Sequence, residues 1–272
     1  MSIYGRIGGY GTWDLWQAPI DPIIDFNGDG VVDTGDMCIM VDNWKTDSLL
    51  CDVGPMPWGD GAVDTQDLTV LAEHLFEQVD DPTLVAHWAL DEAEGMTALE
   101  SVSGRDDWAM GNPVWQPAGG MAGGALEFDG VDDCLITSSA IDPAAGPFSV
   151  LAWVKGGAPG QTIIALQIDA GWLTLDAEGK LTTGLKGVGR GSGPLSSEAV
   201  VTDGQWHRIG LVWDGSQRML YADGMLAAVD TQDGLETCDR GLYIGAAKDY
   251  PSGTYFSGLI DDVRIYNRAA MP

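Results

Sequence analysis

Apolar and polar positions along this chain of 272 residues follow two different periods, and the change falls near residue 84. Before it, Met37-Cys38-Ile39-Met40-Val41-Asp42-Asn43-Trp44 and Leu68-Thr69-Val70-Leu71-Ala72-Glu73-His74-Leu75-Phe76 carry helical spacing. Asp80-Asp81-Pro82-Thr83 ends the second segment, because proline cannot continue a helix and restricts the residue before it. From Leu84 the period becomes two. Residues 85–90, 125–128, 148–154, 206–213, 241–245 and 259–266 read as strands, and 218–227 as a hairpin turned at Asp223-Gly224. Many short strands separated by Gly, Pro and Asp turns predict a mainly β fold. A two-sheet antiparallel sandwich would follow a small helical module.

Each helical segment is preceded by an acidic loop. In the first, Asp25, Asn27, Asp29, Asp33 and Asp36 occupy positions 1, 3, 5, 9 and 12, with Gly30 at position 6. Side-chain oxygens at that spacing, with the backbone carbonyl of Val31 at position 7, can wrap one Ca²⁺ ion in six or seven oxygens. The plain alternative is an acidic surface turn. Asp60-Gly61-Ala62-Val63-Asp64-Thr65-Gln66-Asp67 repeats Asp29-Gly30-Val31-Val32-Asp33-Thr34-Gly35-Asp36, so Asp60, the Ala62 carbonyl, Asp64 and Asp67 are the second set of candidate ligands. Positions 1 and 3 of that loop fall on Met56 and Trp58, which lack side-chain oxygens. Either Asp52 reaches in from a longer excursion between Cys51 and Trp58, or Trp58 uses its carbonyl. This duplicated loop-helix pattern, with Asp at position 12 where an EF-hand usually has Glu, resembles the type I dockerin module over residues 21–79. The resemblance implies folding coupled to Ca²⁺ and tethering to a cohesin-like domain, and leaves residues 1–20 as a separate N-terminal segment.

Over residues 84–270 the ordered segments VAHWALDEAEG, ALEFDGVDDCL, PFSVLAWVKG, DGQWHRIGLVWDG, YADG, GLYIGA and FSGLIDDVRIYNRA resemble the LamG-like jelly-roll domain of the concanavalin A-like lectin/glucanase superfamily. That resemblance implies two curved sheets, frequent structural Ca²⁺, and roles in glycan binding or adhesion. Glu127-Phe128-Asp129-Gly130-Val131-Asp132 is similar to the Glu-x-Asp-x-x-Glu strand of retaining glucanases, in which two carboxyl groups cooperate. Here the third acid is Asp132 and Gly130 favours a turn, so catalysis by Glu127 and Asp129 is the minor alternative. Asp129, Asp132, Asp133, Asp261 and Asp262 either hold a structural Ca²⁺ or cap turns. Trp88, Trp153, Trp206 and Trp213 sit on strands and read as core. Trp172 and Tyr250 are the candidates to stack on a sugar ring, against core packing as the default. His74, His87 and His207 read as isolated core or surface residues.

Charge narrows the partners. Lys plus Arg number 13 against 41 Asp plus Glu, a net charge of −28, which repels nucleic acid and anionic membrane. No apolar run approaches the roughly 18 residues of a membrane span. The first 24 residues show no basic start followed by an apolar run, hence no visible secretory leader. Metal loops, low lysine and abundant Gly and Trp still suggest an extracellular or cell-surface protein. In an oxidising compartment, Cys38 with Cys51 and Cys134 with Cys238 would form two disulfides; otherwise they are small buried thiols. The expected protein is extracellular, noncatalytic and calcium-binding, tethered by its first module, its sandwich binding a polysaccharide or a glycoprotein glycan. The first module's partner would be a cohesin-like domain or a copy of itself. A subunit of a fibre or assembly, and a glycoside hydrolase or polysaccharide lyase, are the alternatives.

Overall fold

The computed structural model describes residues 3–8, 12–17, 24–26, 31–46, 48, 51–55, 59–77, 81–121, 123–138, 141–167, 171–188, 193–238 and 240–270, the first two ranges by backbone alone. The chain divides into two compact units, Met1–Asp81 and Pro82–Pro272.

The first unit opens with an antiparallel pair, β1 (Ile3–Gly8) and β2 (Thr12–Gln17), in which Ile3 faces Gln17 and Gly8 faces Thr12. Two helices follow, α1 (Thr34–Asp42) and α2 (Thr65–Glu73). Both begin three residues before the apolar runs. Asp33 and Asp64 are N-caps, and Asp36 and Asp67 return the bond to the cap backbone, which completes a capping box on each helix. The duplication extends to packing. Val32 N donates to Glu77 O and Phe76 N to Val32 O, while Val63 N donates to Thr46 O and Lys45 N to Val63 O. Each loop thus pairs with the segment leaving the other helix, and Lys45 and Phe76 both take left-handed backbone there, at φ 64° and 72°. Phe26, Val32 and Met40 from one copy meet Val53, Val63 and Leu71 from the other in one small core.

The second unit is a sheet of 16 strands. In chain order its first six are β3 (Leu84–Trp88), β4 (Thr97–Glu100), β5 (Arg105–Met110), β6 (Val114–Gln116), β7 (Ala125–Asp129) and β8 (Cys134–Ile136). Then come β9 (Phe148–Gly156), β10 (Thr162–Leu166), β11 (Gly171–Leu175), β12 (Lys180–Thr183) and β13 (Leu195–Val200). The last are β14 (Trp206–Trp213), β15 (Gln217–Ala222), β16 (Met225–Thr231), β17 (Leu242–Ile244) and β18 (Ser257–Tyr266). The hydrogen-bonded order is β13-β12-β11-β10-β17-β8-β5-β4-β3-β18-β9-β14-β15-β16, with β7 on β18 and β6 on β7. All pairings are antiparallel. β3 and β4 meet at the single pair Trp88 and Glu100, where the sheet passes from one layer to the other. Leu135, Ile164 and Ile244 of one layer share a core with Val150, Ile209 and Val263 of the other. This is the expected sandwich. The β15–β16 hairpin turns at Asp223 and Gly224, both at positive φ, as a two-residue turn requires.

One buried cation locks the far end of the order. Arg218 is fully buried; its Nε donates to Asp230 Oδ1 at 2.9 Å and its Nη2 to Gly193 O at 3.0 Å, while Nη1 bonds Leu185 O. Asp230 is the cross-strand partner of Arg218. Asp230→Ala would strand a buried guanidinium, and we expect a loss of about 3 kcal/mol in chemical denaturation. Arg218→Met with Asp230→Leu should recover most of it, because both charges leave together.

Candidate functional site

In the first unit backbone bonds hold the acids of each loop. Asp36, fully buried, accepts from Phe26 N at 2.6 Å and from Asp33 N at 2.8 Å, which draws position 12 to the start of its loop. Asp25 is 8% exposed and Asp33 accepts from Gly35 N. Asn27 and Asp29 lie outside the described residues. Asp67 does for the second loop what Asp36 does for the first, accepting from Val53 N, Gly54 N and Asp64 N at 2.7, 2.7 and 2.6 Å. Phe26 lies 10 residues before Asp36, and Val53 lies 14 before Asp67, so Asp52 is the counterpart of Asp25 and the second loop is longer by four residues. Asp52 does reach in: it accepts from Asp60 N at 2.9 Å and Gly61 N at 2.8 Å. Met56 and Trp58 fall outside the described residues. The donor set suits Ca²⁺ in kind, hard carboxylate oxygens that keep a lone pair beyond their backbone bonds, and among the described residues of this unit no three acids bring ligand oxygens within 4.8 Å of one another. The second loop fits less well, since Asp52 turns to the backbone N–H groups of Asp60 and Gly61, and Asp60 to Gln66 Nε2.

In the sandwich the five candidate acids separate into three places. Asp129, Asp132 and Asp133 bring ligand oxygens within 4.8 Å of one another, the one such group among the described residues. Asp133 accepts from Asp129 N at 2.9 Å. Burial, then the charges of Asp129 and Asp132, push its carboxyl pKa up to about 6. Gly111 packs on it so closely that a Cβ there would fall 2.3 Å from Asp133 Oδ1. Asp261 and Asp262 do not join this group, because the β7–β18 register sets Ser257, not Asp261, opposite Asp129. Asp261 Oδ2 accepts from Met121 N at 2.6 Å. Asp262 takes His87 Nε2 and Arg264 Nε, both at 2.8 Å; burial alone would raise its carboxyl pKa, and these partners hold it below the ordinary value instead.

The histidines are therefore not isolated. His87 Nδ1 also lies 3.1 Å from Ser101 Oγ, which gives a Ser-His-Asp line. The next two N–H groups, of Val102 and Ser103, are spent on Glu100 and do not serve as oxyanion donors for it. His74 pairs with Glu77. His207 lies between Asp223 at 2.8 Å and Asp203 at 3.0 Å. Burial works against a charged ring there, the two carboxylates outweigh it, and the His207 pKa stands above the ordinary value. The stability this lends is complete below the unfolded-state pKa of about 6.5 and is lost as pH rises through the raised folded pKa. Thermal melts from pH 5 to 9 should show that decline in the wild type and its loss in His207→Gln.

Glu127 and Asp129 point to the same open face of β7. Glu127 Oε2 accepts from Gln116 Nε2 at 2.6 Å, and Asp129 Oδ1 from Val131 N at 2.7 Å.

Two further expectations need correction. Trp172 is fully buried, 5.3 Å from the Phe148 ring, and is no sugar platform. Register shifts along β10–β11 break the simple alternation, so Trp172 and Leu173 both enter the core. All four cysteines are free thiols. Cys134 packs on the outer face with Tyr255, whereas Cys238 belongs to the inner core; Cys51 is buried and Cys38 exposed. Burial pushes the Cys51 thiol up to about 11 and Cys134 to about 12, so neither is a reactive thiolate. Tyr250 is half-buried, its ring 4.9 Å from Tyr243 and 6.2 Å from Tyr255.

The exposed aromatic that sequence reasoning passed over is Trp108 on β5, 54% exposed. Its signal is the alternation Asp106-Asp107-Trp108-Ala109: Asp107 and Ala109 are buried, which turns Asp106 and Trp108 outward.

A family profile described as the concanavalin A-like lectin/glucanases superfamily, Laminin_G_3, matches residues 128–272. No curated protein sequence matches the chain. Among solved structures, the binding domain of Paraclostridial Mosquitocidal Protein 1 superposes with a TM-score of 0.56 at 13% identity, over 69% of this chain and 49% of that one. Domain 4 of AbnA, a GH43 extracellular arabinanase from Geobacillus stearothermophilus in complex with arabinotriose, gives 0.53 at 19% identity, over 71% and 96%. Trypanosoma rangeli sialidase gives 0.54 at 18% identity over 86% of this chain, which spans 37% of the sialidase. At these identities the structural neighbours speak for the fold, and the match over residues 128–272 for the family: this chain belongs to the concanavalin A-like lectin/glucanases superfamily.

Proposed function

We propose that this is an extracellular, noncatalytic glycan-binding protein whose sandwich holds the carbohydrate and whose first unit is a dockerin-like module ordered by Ca²⁺. The observation that carries the binding half is the family match, supported by the arabinotriose that a domain of the same fold holds. The open setting of Glu127 and Asp129, each engaged by a neighbouring N–H, supports a noncatalytic role.

For the tether, support comes from the reciprocal pairing of the two loop-helix copies and from the burial of Asp25 and Asp36. Asp25, Asn27, Asp29, Asp33, Asp36 and the Val31 carbonyl would hold the first ion. Asp52, Asp60, Asp64, Asp67 and the Ala62 carbonyl would hold the second, and Asp129, Asp132 and Asp133 a third in the sandwich. Bound Ca²⁺ would neutralise carboxylates that otherwise repel. The ordered unit would then present its surface to a cohesin-like domain or a copy of itself. Among the described residues no helix is long and apolar enough to cross a membrane.

A glycan array probed with and without Ca²⁺ tests this function. Binding to a defined set of glycans in Ca²⁺ is expected. Binding to no glycan under either condition would overturn it.

A further inference from the structure

We infer that the outer face of the β4–β5–β8–β17 layer is the carbohydrate site, with Trp108 as its stacking platform and an uncharged polysaccharide chain as its ligand. This rests on the glycan-binding reading above and adds the place and the ligand class.

The register builds the platform. Trp108 faces Thr97 on β4 and Ile136 on β8, and Ile136 faces Tyr243 on β17. Residues directly opposite on neighbouring strands share a face, so Thr97, Trp108, Ile136 and Tyr243 form one row. Four strands make the row about 14 Å wide, and its Thr97–Trp108 half lies outside the cluster into which Ile136 and Tyr243 pack. One end is sealed: Tyr243 and Tyr250 pack with Cys134, Ala246 and Tyr255 under the loop between β17 and β18. The other end is open at Trp108, with Leu99 on β4 also 47% exposed. An indole held from below by its own strand and flanked by half-buried neighbours is a flat apolar surface that needs little ordering on binding. Sugar rings present C–H faces that pack on such a plane.

The polar surroundings choose the class of sugar. Along β5, Asp106 stands on the same face at one side of Trp108. At the other side, Met110 faces Cys134, so the Asp132–Asp133 turn leading into β8 lies beyond Met110 along the strands. Carboxylates and the Thr97 hydroxyl accept hydrogen bonds, and sugar hydroxyls donate them. Among the described residues of β4, β5, β8 and β17 the one Lys or Arg is Arg105, whose guanidinium lies 3.5 Å from Asp107 and 3.9 Å from Glu100, and Lys248 of the covering loop is 3.9 Å from Asp249. A rim of acceptors whose nearby cations each lie against a carboxylate, on a chain of net charge −28, repels uronate or sulfate groups and suits uncharged sugars.

The test is affinity electrophoresis of the full chain through gels holding arabinan, a β-glucan, a mannan or polygalacturonate, with Trp108→Ala, Trp108→Phe and Phe76→Ala beside the wild type. Phe76 is 74% exposed but lies in the first unit. We expect retardation by at least one uncharged polymer and none by polygalacturonate, insensitive to salt. Trp108→Ala should weaken that affinity about tenfold with an unchanged melting temperature, Trp108→Phe should keep most of it, and Phe76→Ala all of it. Full retention in Trp108→Ala would overturn the site and leave the glycan-binding reading standing. Retardation by polygalacturonate alone would overturn the ligand class. No retardation of the wild type by any polymer would remove the binding reading itself.

Discussion

Trp172→Ala should destabilise the sandwich by about 3–5 kcal/mol, because it empties the volume of a fully buried indole between two layers that cannot close on it. For a unit of this size that corresponds to a fall of roughly 6–20 °C in melting temperature. The indole Nε1–H has no hydrogen-bond partner among the described residues. Trp172→Phe deletes that unsatisfied donor while keeping a ring against Phe148, so it should cost less than half as much. Calorimetry of both variants decides the matter. An unchanged melting temperature in Trp172→Ala would return this residue to the surface and to ligand binding.

The second large effect concerns the first unit. Asp36→Ala leaves the N–H groups of Phe26 and Asp33 without their acceptor and removes the capping box of α1. The loss should be about 2–4 kcal/mol, in a unit whose core is small. Chelation of Ca²⁺ should act in the same direction, since the acids would lose the cation that offsets their repulsion. In both cases circular dichroism should report loss of helix and limited proteolysis should cut within residues 24–77, while the sandwich transition persists. Adding Ca²⁺ should rescue the chelated wild type and not Asp36→Ala. A first-unit transition that responds to neither chelator nor substitution would contradict the metal-ordered tether.

Much of this architecture is legible in the residues. The alternation in 148–154 and 206–213 survives as β9 and β14, two central, fully paired strands where nothing competes with the pleat. The duplication of the loops is equally plain, and its physical expression is the pair of capping boxes that start each helix three residues early. Where local pattern misled, a non-local cause decided. Register shifts between β10 and β11 carried Trp172 inward. Asp261 and Asp262 are adjacent in sequence to one another, yet β18 sends one to Met121 and the other to His87 and Arg264. For the counterpart of Asp25 the sequence offered Asp52 on a longer excursion or the Trp58 carbonyl, and the bonds to Asp67 set Asp52 at that place in a loop longer by four residues. Trp108 was within reach of the alternation rule; what no sequence pattern supplies is the identity of the strand beside it.

The most direct test of the account is a long incubation of the full chain, in Ca²⁺, with the polysaccharide that retards it, reading bound protein and new reducing ends in the same tube. The account predicts saturable binding, no new reducing ends above the buffer control, and an identical result for Glu127→Gln. Reducing ends that accumulate with time in the wild type and vanish in Glu127→Gln would contradict it, and would make the face of β7 a catalytic one.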